Sequence, residues 1–303
     1  MKTSKSPNSI AIVAYKSAKL AFPEYSHLKS PHKFSQPQLA ACLVLKEFYK
    51  KDYRGIVEII NDSTDLKRIL ELRELPHYTT LQKAANRLFK KDNFKKLLVS
   101  ILNIAREKKV LSKTVKLAAL DSTGFESRHV SSYFVKRRDR DTAKPYQTTT
   151  YTRFPKLGIN ADTSNHLILQ GTAKRGPKPD VTELKSAIKE LAEYQHIYKL
   201  TADAGYDSES NHAYAREQFR ILTLIPARVG RPTNKKPSGH FRKLMASFHF
   251  NKKAYGQRWQ VETVNSMLKR NLNSFLRAKT YWSQCRELLL KIFTHNVMLV
   301  YCG

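Results

Sequence analysis

Cysteine is scarce in this sequence. Three occur among 303 residues, Cys42, Cys285 and Cys302, far apart and with no C-x-x-C pair. That spacing excludes a disulfide framework and a cysteine zinc site, and it makes a reducing cytosol the expected compartment. Long apolar runs are lacking as well. The run from Ile10 to Tyr15 is cut off by Lys16 and Lys19, well short of a secretory core or a membrane span. The apolar stretch Leu288 to Tyr301 carries Lys291, His295 and Asn296, which suits a buried helix of a soluble protein. Acidic residues are the third shortage: 25 Asp and Glu face 55 Lys and Arg, a formal charge of +30. Such an excess adds only self-repulsion unless a polyanion answers it. The basic residues recur along the whole chain, interleaved with 15 Tyr and 14 Phe, instead of gathering on one amphipathic helix. Nucleic acid is therefore the expected partner, ahead of a membrane surface.

The chain divides by texture. Residues 1–34 are polar, with Pro7, Pro23 and Pro31, and are expected to form a loosely ordered arm. Residues 35–112 follow helical periodicity. The expected helices run from a Ser35 cap to Tyr49, from Tyr53 to Ile60, from Asp62 to Leu72, from Leu81 to Phe89 behind a Thr79 or Thr80 cap, and from Asn93 to Lys109. Lys83, Arg87, Lys90 and Lys91 stud the fourth of these, so the region suits a helix-turn-helix-like DNA reader, although any small helical bundle has the same pattern.

From residue 113 to residue 303 strands alternate with helices, an α/β pattern. Val115 to Leu120 is a β-prone run that ends in Asp121-Ser122-Thr123-Gly124. Lys156 to Ala161 and Leu167 to Thr172 are expected to pair as a hairpin about Asp162-Thr163-Ser164-Asn165. An amphipathic helix from Val181 to Tyr194 precedes the strand Tyr198 to Ala202, which ends at Asp203. A helix from Ser208 to Gln218 and a strand from Ile221 to Ile225 follow. Pro226 to Arg258 contains no acidic residue, while Arg228, Arg231, Lys235, Lys236, Arg242, Lys243, Lys252 and Lys253 are basic, as expected of a loop that orders against phosphate. A long helix from Lys252 to Arg270 and another from Trp282 close the chain.

On that long helix, at about 100° per residue from Tyr255, Arg258, Glu262 and Lys269 fall at about 300°, 340° and 320°. Val261, Val264, Met267 and Leu268 take the opposite, buried side. Arg258 and Glu262 alone would be an ordinary i, i+4 surface pair, and either aspartate alone would be a turn or capping residue. Together, two strand-end aspartates and a helical glutamate could converge at the C-terminal edge of a sheet. Three such carboxylates repel one another unless divalent cations with oxygen ligands, Mg²⁺ or Mn²⁺, lie between them. Two ions about 4 Å apart serve phosphodiester chemistry.

These residues resemble those of prokaryotic insertion-sequence transposases of the DDE type, in the group with a Y-x2-R-x3-E-x6-K signature. Tyr255, Arg258, Glu262 and Lys269 match it at every spacing, and D-S-T-G at Asp121 and D-x-G-Y at Asp203 to Tyr206 match as well. The resemblance extends from about Val115 to the C-terminus, and more loosely over residues 35–109. It implies an RNase H-like catalytic domain over residues 113–303, preceded by a DNA-binding region over residues 35–112. It also implies Asp121, Asp203 and Glu262 as catalytic, metal-binding residues for two Mg²⁺ or Mn²⁺ ions, with Tyr255, Arg258 and Lys269 on DNA phosphates. The expected partners are double-stranded terminal inverted repeats and target DNA, bound by a homodimer in the cytoplasm at the nucleoid. Only residues 204–261 separate Asp203 from Glu262, so the β-rich insertion of some relatives is absent.

Lys252 and Lys253 join the expected DNA contacts, and Trp259, beside the functional stripe, could pack or stack on an unpaired base. His129, His212 and His249 do not cluster and are expected on the surface or in the core, as are Tyr133 and Phe134 as packing residues. Gly171 to Pro179 lacks P-loop spacing and is expected as a basic turn. Two rival functions fit the same residues: an RNase H-fold nuclease that cuts without joining, and a non-catalytic DNA-binding derivative of a transposase.

Overall fold

In the chain's fold, given by a computed structural model, the described residues are 3–27, 29, 32–127, 154–176, 178–227, 237–246 and 251–300. His129, Tyr133, Phe134, Arg228, Arg231, Lys235, Lys236 and His249 lie outside them.

The strand expected at Val115 to Leu120 is longer than its apolar run: β1 spans Thr114–Gly124 and passes through Asp121. On one side β1 pairs antiparallel with β3 (Phe154–Asp162), with Asp121 opposite Ile159. On the other it pairs parallel with β5 (His196–Ala202), and the last pair is Leu120 with Ala202. Asp121 is thus inside the strand, at the point where its parallel partner ends. The antiparallel partner on its other side keeps the backbone extended for three more residues. β3 and β4 (Ile168–Gly176) form the expected hairpin, and β6 (Leu222–Leu224) pairs parallel with β5. The resulting order is β4-β3-β1-β5-β6, three antiparallel strands followed by two parallel ones. This is the mixed sheet of an RNase H-like fold. β2 (Glu126–Ser127) pairs separately with β7 (Phe275–Leu276). Gly171 to Gly176 belongs to β4, so the expected basic turn is in fact largely strand; its alternation with apolar neighbours was masked by Lys174 and Arg175.

Helices cover both faces of the sheet. Neighbouring β4 residues point to opposite sides: Gln170 reaches Glu190 on α7 (Leu184–Ala192), and Gly171 lies under α12 (Tyr281–Val300). A Cβ on Gly171 would stand 2.2 Å from Ile292 Cδ1, so glycine allows this close approach. The expected helix from Ser208 begins as α8 (Glu209–Ala213) and continues through a π turn over Tyr214–Gln218. α9 (His240–Ala246) lies in the basic segment.

Residues 7–21 correct the expectation of a loose arm. Pro7–Ala21 is helix α1, capped by Ser6, and Ile10, Ala11, Ala14 and Ala18 are fully buried. The small alanines let α1 pack closely on its neighbours. The other N-terminal helices are α2 (Gln36–Phe48), α3 (Tyr53–Asp62), α4 (Thr64–Ile69), α5 (Tyr78–Leu88) and α6 (Lys91–Glu107). Ser35 forms the expected cap, a capping box with Gln38. α5 starts earlier than expected, with His77 at its N-cap and Thr79 and Thr80 inside its first turn. These helices and the sheet share one continuous apolar core. A buried charge cluster joins them: Lys291 on α12 bonds Glu47 on α2 at 2.6 Å and also donates to the Leu272 carbonyl. Among the described residues no helix is long and apolar enough to cross a membrane.

Candidate active site

The sheet register brings the two aspartates to one edge. Leu120 pairs with Ala202, the last pair of β1 with β5, and Asp121 and Asp203 are the residues that follow them in the two chains. Asp203 is exposed and its Oδ1 accepts from the Ala204 N–H at 2.7 Å, capping the 3₁₀ turn Ala204–Tyr206. It therefore fills the ordinary capping role as well as standing at the strand end.

The helix expected over Lys252 to Arg270 is interrupted. It is built as α10 (Lys252–Gly256) and α11 (Trp259–Leu272). Between them Arg258 N–H donates to Tyr255, Gln260 to Gln257 and Val261 to Arg258, each three residues back. This tightening, next to the weak helix former Gly256, eclipses residues three apart and keeps Tyr255 in line with Arg258. Val261, Val264, Met267 and Leu268 are buried as expected. They fix α11 against β1 and β3.

An open cavity of about 370 Å³ lies between β1 and α11, lined by Asp121, Thr123, Glu262, Asn265, Ser266 and Lys269, with Arg270 at its edge. Asp121 and Glu262 thus share it, together with Lys269, whose ammonium also stands 5.5 Å from the Phe125 ring. Asp203 does not line it. Arg258 links the three instead: its Nη2 is 2.7 Å from Glu262 Oε1, and its cation feels the fields of Glu262 and Asp203. A larger cavity, about 470 Å³, opens between α2, α3, α5 and the start of α12 and contains none of these carboxylates. Trp259 is 53 % exposed, and Lys252 and Lys253 are exposed on α10. His212 is a core residue bonded to Thr223 Oγ1 at 2.6 Å, and burial lowers its pKa.

Burial pushes the Asp121 carboxyl above the usual aspartate range, and Glu262 and Asp180 push it further, against the Ser122 N–H and Arg258. Asp121 Oδ2 accepts from Asn265 Nδ2 at 3.0 Å. Asn265 and Asp180 are the neighbours that sequence reasoning missed. Asn265 had a signal, since it follows Glu262 by three residues on the helix; Asp180 had none, because 58 residues of chain, a hairpin among them, intervene between it and Asp121.

The donors suit a hard divalent cation in kind, being carboxylate oxygens only. A buried polar atom beside Asp121, Asn265 Oδ1, also has no hydrogen-bond partner, and a hydrated ion would supply one. Among the described residues no three acidic, His or Cys side chains stand as a preassembled cage, so closing on an ion requires side-chain movement.

The family model described as Transposase DDE domain matches residues 115–297. No curated protein matches the chain in sequence. Among solved structures, a piggyBac transposase synaptic complex with hairpin DNA is similar at 10% identity, over 98% of this chain and 73% of that one, with a TM-score of 0.46. The Mos1 mariner paired-end complex with Mn is similar at 13% identity, over 88% and 87%, with a TM-score of 0.25. A Mos1 transposase paired-end complex with the left transposon end is similar at 12% identity, over 83% and 82%, with a TM-score of 0.24. These likenesses are too distant to carry residue roles across. The family match stands on its own: it spans more than half of the chain, from β1 into α12, and takes in Asp121, Asp203 and the helix of Glu262, so the chain belongs to the DDE transposases.

Proposed function

We propose that the chain binds double-stranded transposon ends, cleaves them, and joins the freed 3′-hydroxyls to target DNA, with Asp121, Asp203 and Glu262 as its catalytic carboxylates. The observation that carries this reading is that Asp121 and Glu262 line one open cavity with Lys269, where the Asp121 carboxyl is raised chiefly by burial and further by Glu262 and Asp180. A site that strains its carboxylates in this way favours a cation.

Asp121 and Glu262, which line one cavity, and Asp203, the residue after the last β1–β5 pair, would hold two Mg²⁺ or Mn²⁺ ions. Bound there, the ions supply positive charge to the attacking and leaving oxygens of phosphodiester transfer. The chain's own cations do the rest. Arg258 leaves Glu262 for a DNA phosphate once the carboxylates are otherwise neutralised, and Lys269 and Tyr255 contact neighbouring phosphates. Lys252 and Lys253 hold the backbone beyond them, and the exposed Trp259 ring stacks on an unpaired base. The helices of residues 35–112 read the transposon end. Two ends must be handled together, so the working form is a homodimer on DNA.

Supplying intact transposon-end DNA and, separately, pre-cut ends, each with supercoiled target and Mg²⁺, tests this reading: cleavage of the intact ends and joined product from both are expected. Cleavage of intact ends with no joined product from either would favour the nuclease reading, and neither cleavage nor joining would favour the non-catalytic derivative.

A further inference from the structure

Asp180 opens the 3₁₀ turn Asp180–Thr182, which packs against the turn Ala204–Tyr206 that follows Asp203. Its Oδ1 accepts from the hydroxyl of Ser122, the residue after Asp121, at 2.9 Å. The same oxygen accepts from Lys156 on β3, a buried ammonium that also donates to the Lys178 carbonyl at 2.9 Å and lies 3.5 Å from Glu183. Its other oxygen faces the second strand end: a methyl group placed on Gly205 would be 3.6 Å from Asp180 Oδ2. The two turns are fastened independently by the buried Asn211, whose Nδ2 donates to Val181 O and to Tyr206 O, each at 2.9 Å. A cavity of about 270 Å³ lies on this side of β1, lined by Ser122, Thr123, Lys156 and Asp180 among others, and Thr123 also lines the Glu262 cavity across the strand.

We propose that Asp180 is a positioning residue for the carboxylate site: it fixes the β1 and β5 ends relative to each other, so that Asp121 and Asp203 are presented to a common divalent cation. This rests on the proposed assignment of those carboxylates. Two physical consequences follow from its being a carboxylate. The bond to Ser122 orients the backbone next to Asp121, and the negative charge joins that of Glu183 in offsetting the buried Lys156 ammonium, which repels a cation a few residues away. Asp180 acts through Ser122 and Lys156, with no contact to the reacting atoms.

The test measures Mn²⁺ binding to the DNA-free full chain by electron paramagnetic resonance, alongside its melting temperature and its affinity for DNA. Asp180→Asn keeps an oxygen for Ser122 and Lys156 but removes the charge. It is expected to raise the half-saturating Mn²⁺ concentration about tenfold, the usual size for a group acting on ligands from behind, with DNA affinity unchanged within about twofold. Ser122→Ala is expected to raise it by less, and to add little in the Asp180→Asn background. Asp121→Asn, the reference, is expected to abolish binding. If Asp180→Asn leaves Mn²⁺ binding unaltered while Asp121→Asn abolishes it, the positioning role is wrong and the metal site stands. If Asp180→Asn is as severe as Asp121→Asn, Asp180 is a ligand and again not a positioning residue. Unaltered binding in Asp121→Asn would remove the site reading itself. Should Asp180→Asn not fold, Ser122→Ala alone decides, and no shift there overturns the proposal.

Discussion

Lys291→Met isolates the contact that joins the N-terminal helices to the end of the helix bearing Glu262. Lys291 is 1 % exposed, bonds Glu47 Oε1 at 2.6 Å, and donates to the carbonyl of Leu272, the last residue of α11. Burial pushes the Glu47 carboxyl up, and Lys291 with Lys46 outweighs that and holds it below the ordinary glutamate range. Removing one partner of a buried pair costs about 3–5 kcal/mol, because the other charge is left without its counterion. Lys46 remains 3.4 Å from Glu47, which places the expected loss near the lower end, about 3 kcal/mol. At roughly 2 °C per kcal/mol for a chain of this size, the melting temperature falls by about 6 °C. The double variant Glu47→Leu with Lys291→Met should recover part of this, since the Glu47–Lys291 pair is removed together while buried Lys46 loses its Glu47 partner. Urea denaturation of the wild type, both single variants and the double gives the coupling. A loss below about 1 kcal/mol in Lys291→Met, or strict additivity in the cycle, would refute the reasoning.

Gly171→Ala should destabilise by about 1–3 kcal/mol, because its Cβ would stand 2.2 Å from Ile292 Cδ1, and Ile292→Val, which removes that atom, should recover part of it in chemical denaturation. Burial pushes the His295 imidazole down to about 4. Its folded pKa lies below the unfolded value near 6.5, so its contribution is fully present above that pH. As pH falls from about 6.5 towards 4 about 3 kcal/mol is lost. A His295→Gln variant should flatten the stability profile in that window, and an unchanged slope would count against it. The logarithm of DNA affinity should fall steeply and linearly with the logarithm of salt concentration, and a flat titration would contradict phosphate contact by the basic segments.

The sheet was legible because its strands are short apolar runs bounded by turn residues, as at Tyr198 to Ala202 ending on Asp203. Glu262 was legible because α11 separates a buried face, Val261 and Leu268, from a polar one. Three features were not. The N-terminal helix α1 is packed through alanines, whose weak hydrophobicity hides a buried stripe among polar residues. The break at Gln257–Arg258 is a change from four-residue to three-residue hydrogen bonds, which periodicity over so few residues does not resolve. Asp180 and Lys156 meet Ser122 only through the pairing of β3 with β1 and the packing of the 180–182 turn, and no local pattern encodes contacts at that sequence distance.

Asp121, Asp203 and Glu262 are proposed to act together on DNA through divalent cations, and cleavage of transposon-end DNA in Mg²⁺ by Asp121→Asn and Glu262→Gln, with DNA binding measured in parallel, examines that joint role. Each variant is expected to bind DNA as the wild type does and to lose more than about a hundredfold in cleavage, as removal of several kcal/mol of charge stabilisation requires. Undiminished cleavage by either variant would contradict the joint role.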